Sequence, residues 1–267
     1  MAERDQSWSP LGFAEDAAVF KGPTQTARVL SEGWVAAWMF CPACGAERLR
    51  QLLNNAPVAD FVCDGCGEEF EVKAGKGPLK PKIVNGAYGA MMRRLAERNN
   101  PSLFAMSYDR EAHAVTDLIV VPRHFFTQDI IEPRKPLSAT ARRAGWQGCN
   151  ILIGQVPLSG RIPLIAGGAH VPKDEVLDRW RSTLFLAEAG LEARGWLLAV
   201  MRVVEAVTAG NGRAEFTLAE VYAHEAALAA QYPGNRHVRE KIRQQLQVLR
   251  DRGWLDFTAR RGVYRRA

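Results

Sequence analysis

The chain has 267 residues, of which 47% are hydrophobic and 24% are charged. This length suits one large domain or two ordinary ones, and the composition is that of a globular protein, not a disordered one. The first residues are polar and lack the apolar core of a signal peptide, and no apolar run approaches the roughly 20 residues that span a bilayer. We therefore expect a cytoplasmic protein with no membrane partner, in which cysteines stay reduced.

Positive charge is concentrated at the C-terminal end. The formal net charge is +6, and the segment from Asn235 onward holds ten Arg and Lys against three Asp and Glu, a local +7 that leaves the rest at −1. A basic module on a nearly neutral body is typical of a protein that binds a polyanion. A solvated basic face is the alternative.

Two cysteine pairs predict a metal site. Cys41 and Cys44 form one Cys-x2-Cys unit, Cys63 and Cys66 form another, and eighteen residues separate them. Four thiolates at this spacing close a tetrahedron around Zn²⁺ and leave no open position, so the zinc would be structural. A redox-active Cys-x2-Cys is the alternative, and two such units argue against it. The lone Cys149 is expected to be a small buried apolar side chain.

An acidic motif interleaves with the second cysteine pair. Asp60 precedes that pair and Glu71-Val72-Lys73 follows it, both on segments that resemble short strands. Side chains alternate along a strand, so Glu71 and Lys73 share a face that Asp60 can meet from the partner strand. Such carboxylates can hold Mg²⁺ for phosphodiester hydrolysis, with a lysine to orient the attacking water. Ordinary surface charge on a strand is the alternative.

Two further glutamates compete for the acidic role. Glu69 is two residues before Glu71, so we expect it on the same face and within reach of a supporting contact. Glu68 is expected to face solvent. The five histidines show no paired spacing and are expected to be structural or superficial, except His237, which begins a basic helix.

The remaining N-terminal elements alternate between strand and helix. The pattern predicts a helix over residues 85–99, strands over 103–108 and 117–121, and a helix over 173–186. This alternation favours an α/β core, and with the acidic motif we expect residues 1–190 to be a catalytic domain. Within it, residues 134–150 form a basic, irregular segment that carries Arg142, Arg143 and Trp146. Such a loop can lie on phosphates and press Trp146 against bases, whereas the alternative is a core tryptophan in a loop.

Residues 191–267 have the element order of a winged helix. A helix is predicted over residues 194–207, a second runs from a capping box of Thr217 and Glu220 to about residue 231, and a third covers 237–252. Short strands at 254–257 and 262–265 then form a wing around 259–261. We expect an α+β DNA-binding domain.

The third helix of this domain has two faces. Its apolar stripe suits a core, and its second stripe is basic and carries an amide, as in helices that lie in the major groove. The wing arginines, Arg260, Arg261, Arg265 and Arg266, can reach the neighbouring backbone. The apolar stripe is Val238, Ile242, Leu246 and Leu249, and the basic stripe is Arg236, Arg239, Arg243, Gln247 and Arg250.

Several long strings together carry a family resemblance. They are CPACG, PVADFVCDGCGEEFEVK, NGAYGAMMRR, RKPLSATARRAGWQGCNI and HVREKIRQQLQVLRD. Over nearly its whole length the chain resembles the DpnI-like family of methyl-directed type II restriction endonucleases, which cut GATC when its adenine is N6-methylated. The resemblance implies a PD-(D/E)xK catalytic domain with a zinc site, followed by a winged-helix domain that also reads the methylated site.

The resemblance also implies residue roles. Asp60, Glu71 and the Val72 carbonyl would bind Mg²⁺, and Lys73 would assist the water. Pro57 would open the nuclease motif, three residues before the aspartate. The four paired cysteines would hold Zn²⁺. Recognition of double-stranded, adenine-methylated DNA would fall to Trp146, Arg142, Arg143, Arg236, His237, Arg239 and Arg243, and we expect a monomer.

Other readings stay open at this point. A non-catalytic zinc and winged-helix regulator that binds methylated DNA is one, and the intact Asp60, Glu71 and Lys73 set argues against it. A nuclease of the same fold with a drifted site preference is another. A thiol oxidoreductase is the most distant, and the zinc content would decide it.

Overall fold

The computed structural model of the chain describes residues 10–14, 22–53, 59–260 and 262–266. The chain divides into two compact units, Met1–Thr183 and Leu184–Ala267. The domain boundary drawn from the sequence, after residue 190, stays a prediction. Among the described helices, none has both the length and the hydropathy that crossing a bilayer requires.

The N-terminal unit mixes helices and strands, as expected for an α/β protein. Its elements are α1 (Pro23–Trp38), β1 (Arg50–Gln51), β2 (Phe61–Val62), β3 (Glu69–Lys76), β4 (Ile83–Ala87), α2 (Tyr88–Ala96), β5 (Ser102–Asp109), β6 (Ala114–Val121), β7 (Ile131–Pro133), β8 (Gly148–Ile151), β9 (Ile162–Ala166), β10 (Ala169–His170) and α3 (Lys173–Arg181).

A central sheet organises this unit. Within the described ranges its strand order is β1-β2-β3-β5-β6-β9-β10. Strand β3 pairs antiparallel with β2, in the register Phe61 opposite Phe70, and parallel with β5, in the register Glu71 opposite Leu103. Strand β5 is buried from Ser102 to Tyr108, so both of its faces are covered. Strand β3, which carries Glu71 and Lys73, is thus an interior strand of the sheet, between β2 and β5.

Packing around β3 fixes its position. Phe70 stacks on Phe104 of β5 with ring centroids 4.8 Å apart, and both rings are fully buried. Trp34 of α1 and Trp180 of α3 belong to the same apolar cluster. Large aromatic side chains contribute much of the burial energy of a core, so this end of β3 is anchored in the core.

The N-terminal unit has a second, smaller sheet, which includes β4, the strand immediately before α2. Its order is β4-β8-β7, antiparallel throughout, with a bulge in β4 between Asn85 and Ala87. Residues 134–147 connect β7 to β8. The backbone N–H of Tyr88, at the start of α2, donates to the Gln147 carbonyl over 3.0 Å and joins this loop to the helix.

The C-terminal unit has the element order of a winged helix. Its elements are α4 (Phe185–Glu188), α5 (Leu191–Asn211), β11 (Glu215–Thr217), α6 (Leu218–Tyr222), α7 (Glu225–Gln231), α8 (Val238–Asp251), β12 (Leu255–Phe257) and β13 (Val263–Arg266). The capping box of Thr217 and Glu220 is confirmed, with the Glu220 N–H donating to Thr217 Oγ1 and the Thr217 N–H donating to the Glu220 carboxylate. β13 pairs with both β11 and β12.

Three predicted helices differ from the observed ones. The segment 85–99 begins as strand β4 and becomes helical only at Tyr88, because β4 pairs with the distant β8. The segment 173–186 divides into α3 and α4, and the segment from Thr217 to Gln231 divides into α6 and α7. These divisions follow tertiary packing, which local propensity does not contain.

Candidate active site

Asp60 and β3 are joined by a side-chain hydrogen bond. Asp60 lies immediately before β2, and its backbone N–H donates to the Phe70 carbonyl over 2.9 Å. Its Oδ2 accepts from the Val72 N–H at 2.8 Å. The carboxylate therefore takes the place of a strand partner at the end of the β2–β3 ladder and lies beside the Glu71-Val72-Lys73 segment.

Glu71 and Lys73 meet on one face of β3, as strand alternation predicts. Lys73 Nζ lies 2.7 Å from Glu71 Oε1. Glu71 is only 7% exposed, and this burial raises the pKa of its carboxyl, while the Lys73 ammonium and hydrogen bonds from Lys73 and Asn85 oppose the rise. A buried carboxylate needs such partners to stay charged near neutral pH.

Asn85 of β4 holds the other oxygen of that carboxylate. Its Nδ2 donates to Glu71 Oε2 over 3.0 Å, and its side chain is buried. The sequence pattern predicts residue 85 at the start of a helix and indicates no role for it. The Asn85-Gly86 dipeptide, a turn signal, was the available hint that the helix begins later.

A cavity of about 1040 Å³ opens over these residues. Asp60, Glu71 and Lys73 all line it. Helix α1 contributes Arg28 and Glu32, whose side chains are paired at 2.6 Å. A concave site with converging charged groups and a carboxyl of raised pKa has the features of a catalytic centre.

The neighbouring glutamates differ from expectation. Glu68 is buried and does not face solvent, because Ser102 Oγ donates to its Oε1 at 2.6 Å and Arg123 Nε lies 3.3 Å from its Oε2. Two partners at the start of β5 and just beyond β6 compensate its burial. Glu69 forms an ion pair with Arg94 of α2, so its carboxylate contacts that helix and does not support Glu71.

The four paired cysteines converge. Their sulfur atoms all lie within 4.8 Å of one another, with Cys41 Sγ 3.7 Å from Cys66 Sγ and Cys44 Sγ 3.5 Å from Cys63 Sγ. A tetrahedron with Zn–S bonds of about 2.3 Å gives sulfur separations of about 3.8 Å, so the cluster fits zinc. Gly45 and Gly67 follow the two pairs with positive φ, which the tight knuckle turns require. Cys149 lies outside the cluster and is buried, as expected.

The loop of residues 134–147 presents its tryptophan at the surface. Trp146 is half-buried, and the Arg143 guanidinium lies 5.1 Å from the centre of its ring. Arg142 and Arg143 are exposed. The loop is closed by backbone hydrogen bonds from Arg134 to Gly148 and from Leu137 to Trp146. Trp146 is therefore not a core residue, and its ring already stacks with a cation.

In the C-terminal unit, α8 buries its apolar stripe and exposes the basic one. Val238, Ile242, Leu246 and Leu249 are buried, and Arg236, His237, Arg239, Arg243 and Gln247 are exposed. His237 precedes the helix, and its backbone N–H donates to Asn235 Oδ1 at 2.8 Å.

Two arginines of the basic stripe are held by neighbours. Arg239 pairs with Glu225 at 2.7 Å and lies over Tyr222, and Arg250 lies over Phe257 at 4.5 Å from the ring centre. Arg243 lines a smaller cavity of about 380 Å³ with Phe257, Arg260 and Tyr264. Pro57 of the predicted nuclease motif and Arg261 of the predicted wing lie outside the described residues.

Two family models match the chain. The DpnI model, described as the Dam-replacing family, matches residues 14–189, and the model of the Dam-replacing HTH domain matches residues 192–266. The chain belongs to the Dam-replacing family.

Membership in the Dam-replacing family settles the general class of the protein. It places the chain among methylation-dependent restriction endonucleases that carry a C-terminal helix-turn-helix DNA-binding domain. The mixed α/β fold and the four-cysteine cluster agree with the resemblance found in the sequence.

Proposed function

We propose that this chain is a Mg²⁺-dependent endonuclease that hydrolyses phosphodiester bonds of double-stranded DNA at GATC sites with N6-methylated adenine. The observation that carries the proposal is the meeting of Asp60, Glu71 and Lys73 in one cavity, in a chain of the Dam-replacing family. The methylated GATC site comes from the resemblance of the whole sequence to DpnI-like enzymes.

The donor set suits Mg²⁺. Hard oxygen ligands and one or two carboxylates are what this ion takes up beside phosphate. Asp60 and Glu71 supply the carboxylates, and the resemblance adds the Val72 carbonyl. A bound Mg²⁺ supplies polarisation of the phosphate and a lowered pKa for the attacking water.

Lys73 is proposed as the catalytic cation. Its ammonium is held 2.7 Å from Glu71, on the face that borders the cavity. From there it can donate a hydrogen bond to the attacking water and stabilise negative charge that develops on the phosphate oxygens. The Val72 N–H donates to the Asp60 carboxylate, and this hydrogen bond holds Asp60 beside Glu71 of β3.

The four cysteines are proposed to hold a structural Zn²⁺. Cys63 and Cys66 lie between Asp60 and Glu71, at the tip of the β2–β3 hairpin. Four thiolates leave no position for substrate, so the ion would act by holding the hairpin and not by chemistry.

DNA reading is proposed for both domains, residues 1–190 and 191–267. In the first, Trp146 with Arg142 and Arg143 would contact the methylated bases and nearby phosphates. In the second, Arg236, His237, Arg239 and Arg243 would enter the major groove. We propose a cytoplasmic monomer as the acting form.

A digest of matched plasmids tests the proposal. Two preparations that differ only in adenine methylation at GATC are incubated with Mg²⁺ and either the wild type or Glu71→Ala. Fragments from the methylated plasmid alone, and none with the variant, are expected. Binding to methylated DNA without cutting would leave a regulator, and cutting at other sites would indicate a drifted specificity.

A further inference from the structure

We propose that Asn85 is a positioning residue that fixes the orientation of the Glu71 carboxylate for metal binding and cleavage. This inference rests on the proposed nuclease function of Glu71. It concerns a residue of the small β4-β8-β7 sheet, which reaches the catalytic strand by a side-chain amide.

The Glu71 carboxylate is held from two directions. Lys73 Nζ lies 2.7 Å from Oε1, and Asn85 Nδ2 donates to Oε2 over 3.0 Å. With a separate donor on each oxygen, rotation of the carboxylate about its terminal bond loses at least one hydrogen bond. Such outer contacts orient metal-binding carboxylates and typically change metal affinity or activity by about 10–100-fold when they are removed.

The amide of Asn85 is itself fixed. Its Oδ1 accepts from the Gly86 N–H at 2.7 Å, so the oxygen is committed and the NH₂ group faces Glu71. The opposite orientation would place a carbonyl oxygen against a carboxylate and lose both hydrogen bonds. The residue is only 6% exposed, which excludes most competition from water.

The backbone at Asn85 is also specialised. Asn85 lies opposite Cys149 in the β4–β8 ladder, and the register shifts between Asn85 and Ala87. A bulge of this kind redirects a side chain and is common beside active sites. Here it accompanies a side chain that lines the catalytic cavity together with Asp60 and Glu71.

The same sheet offers a matched control. Asn150 of β8 makes a contact of the same chemistry, with its Nδ2 donating to Glu132 Oε2 over 2.6 Å. This amide–carboxylate pair is outside the residues that line the cavity. Asn150→Ala therefore removes an amide–carboxylate hydrogen bond from the same sheet, at a half-buried position, without touching Glu71.

The experiment compares wild type, Asn85→Ala, Asn85→Asp and Asn150→Ala as full chains. Three quantities are measured: the single-turnover cleavage rate of a methylated duplex across Mg²⁺ concentrations, the affinity for that duplex without divalent metal, and the melting temperature. Calorimetric titration of each protein with Mn²⁺, in the absence of DNA, gives a fourth.

For Asn85→Ala we expect cleavage at limiting Mg²⁺ to fall by about 10–100-fold and Mn²⁺ binding to weaken by at least about tenfold, with DNA affinity kept and a cooperative melting transition retained. Asn85→Asp should lose more, because a second acceptor faces Glu71. Asn150→Ala should behave as wild type. Unchanged metal binding by folded Asn85→Ala, or an equal loss in Asn150→Ala, would overturn the inference.

A failure of the nuclease proposal is distinguishable from a failure of this one. If the wild type binds Mn²⁺ but cuts no DNA, the proposed function falls, and the Mn²⁺ titrations alone decide the role of Asn85. If the wild type neither cuts nor binds Mn²⁺, both proposals are wrong.

Discussion

Lys73 Nζ lies 2.7 Å from Glu71 Oε1, and both side chains come from one face of strand β3. Each residue supports the other, because Glu71 needs a cation to stay ionised when buried and Lys73 needs an anion to hold its ammonium over the cavity. A second lysine–glutamate pair, Lys82 Nζ and Glu132 Oε2, has the same N–O distance of 2.7 Å, but both of its side chains are exposed.

Replacing Lys73 by Met should abolish most cleavage and leave DNA binding largely intact. A positioned cationic donor at developing negative charge is worth about 10²–10³ in rate. Single-turnover cleavage of a methylated duplex measures the loss, and Lys82→Met, which breaks the exposed pair, should cut at the wild-type rate. Comparable losses in the two variants would show that Lys73 acts only through stability.

Replacing Trp146 by Ala should reduce the preference for methylated over unmethylated DNA. One buried methyl group is worth roughly 1 kcal/mol, so two methyl groups limit the effect to about 30-fold. The ratio of dissociation constants for the two duplexes is the measurement.

Trp38 is the control for Trp146. It is exposed and also stacks with a guanidinium, that of Arg48, at 5.9 Å. Trp38→Ala should leave the ratio unchanged, and an unaltered ratio for Trp146→Ala would remove that residue from methyl reading.

Replacing Cys63 by Ser should remove zinc and cleavage together. Elemental analysis should give one zinc per chain for the wild type and much less for the variant, with a lower melting temperature because metal binding contributes folding free energy. Cys149→Ala, outside the cluster, should keep its zinc. Full zinc content in Cys63→Ser would contradict the four-thiolate site.

Glu215→Gln should destabilise the C-terminal unit only above acidic pH. Hydrogen bonds from Arg265, at 2.8 Å, and from Arg260, at 2.9 Å, hold the pKa of this half-buried carboxyl below its usual range. The stabilisation is present above the unfolded pKa of about 4 and is lost as pH falls through the depressed folded value.

Calorimetry of the C-terminal unit checks the sign of this effect. The melting temperature of Glu215→Gln should lie below that of the wild type at neutral pH, and the two should converge in acid. A difference in melting temperature that grows towards acid pH would contradict the predicted sign of the pH dependence. Because the variant also frees wing arginines, its DNA affinity should depend more steeply on salt.

The local parts of the site could be predicted from the sequence. Two Cys-x2-Cys units can meet on one ion almost wherever the chain runs, and strand alternation alone places Glu71 beside Lys73. The capping box of Thr217 and Glu220 likewise depends on only four consecutive residues. In each case the physics acts within a single turn, hairpin or strand.

The parts that depend on distant pairing could not be predicted. Asn85 looked like the start of a helix, and only its pairing with Cys149 in β8 makes it part of a strand. Glu68 looked like a solvated acid, and only the parallel approach of β5 brings Ser102 to it. Such contacts join segments far apart in sequence, where local propensity carries no information.

The double pairing of β3 has a consequence for how the protein is made. Residues 41–76 contain the four cysteines proposed to hold zinc, together with Asp60, Glu71 and Lys73. Zinc binding would therefore close this segment early during synthesis. The parallel partner β5 and the Asn85 amide arrive later, and non-local pairing of that kind is slow. Zinc supply during synthesis would therefore control how many chains mature. Starvation for the metal would lower the number of working molecules and leave the turnover of each one unchanged.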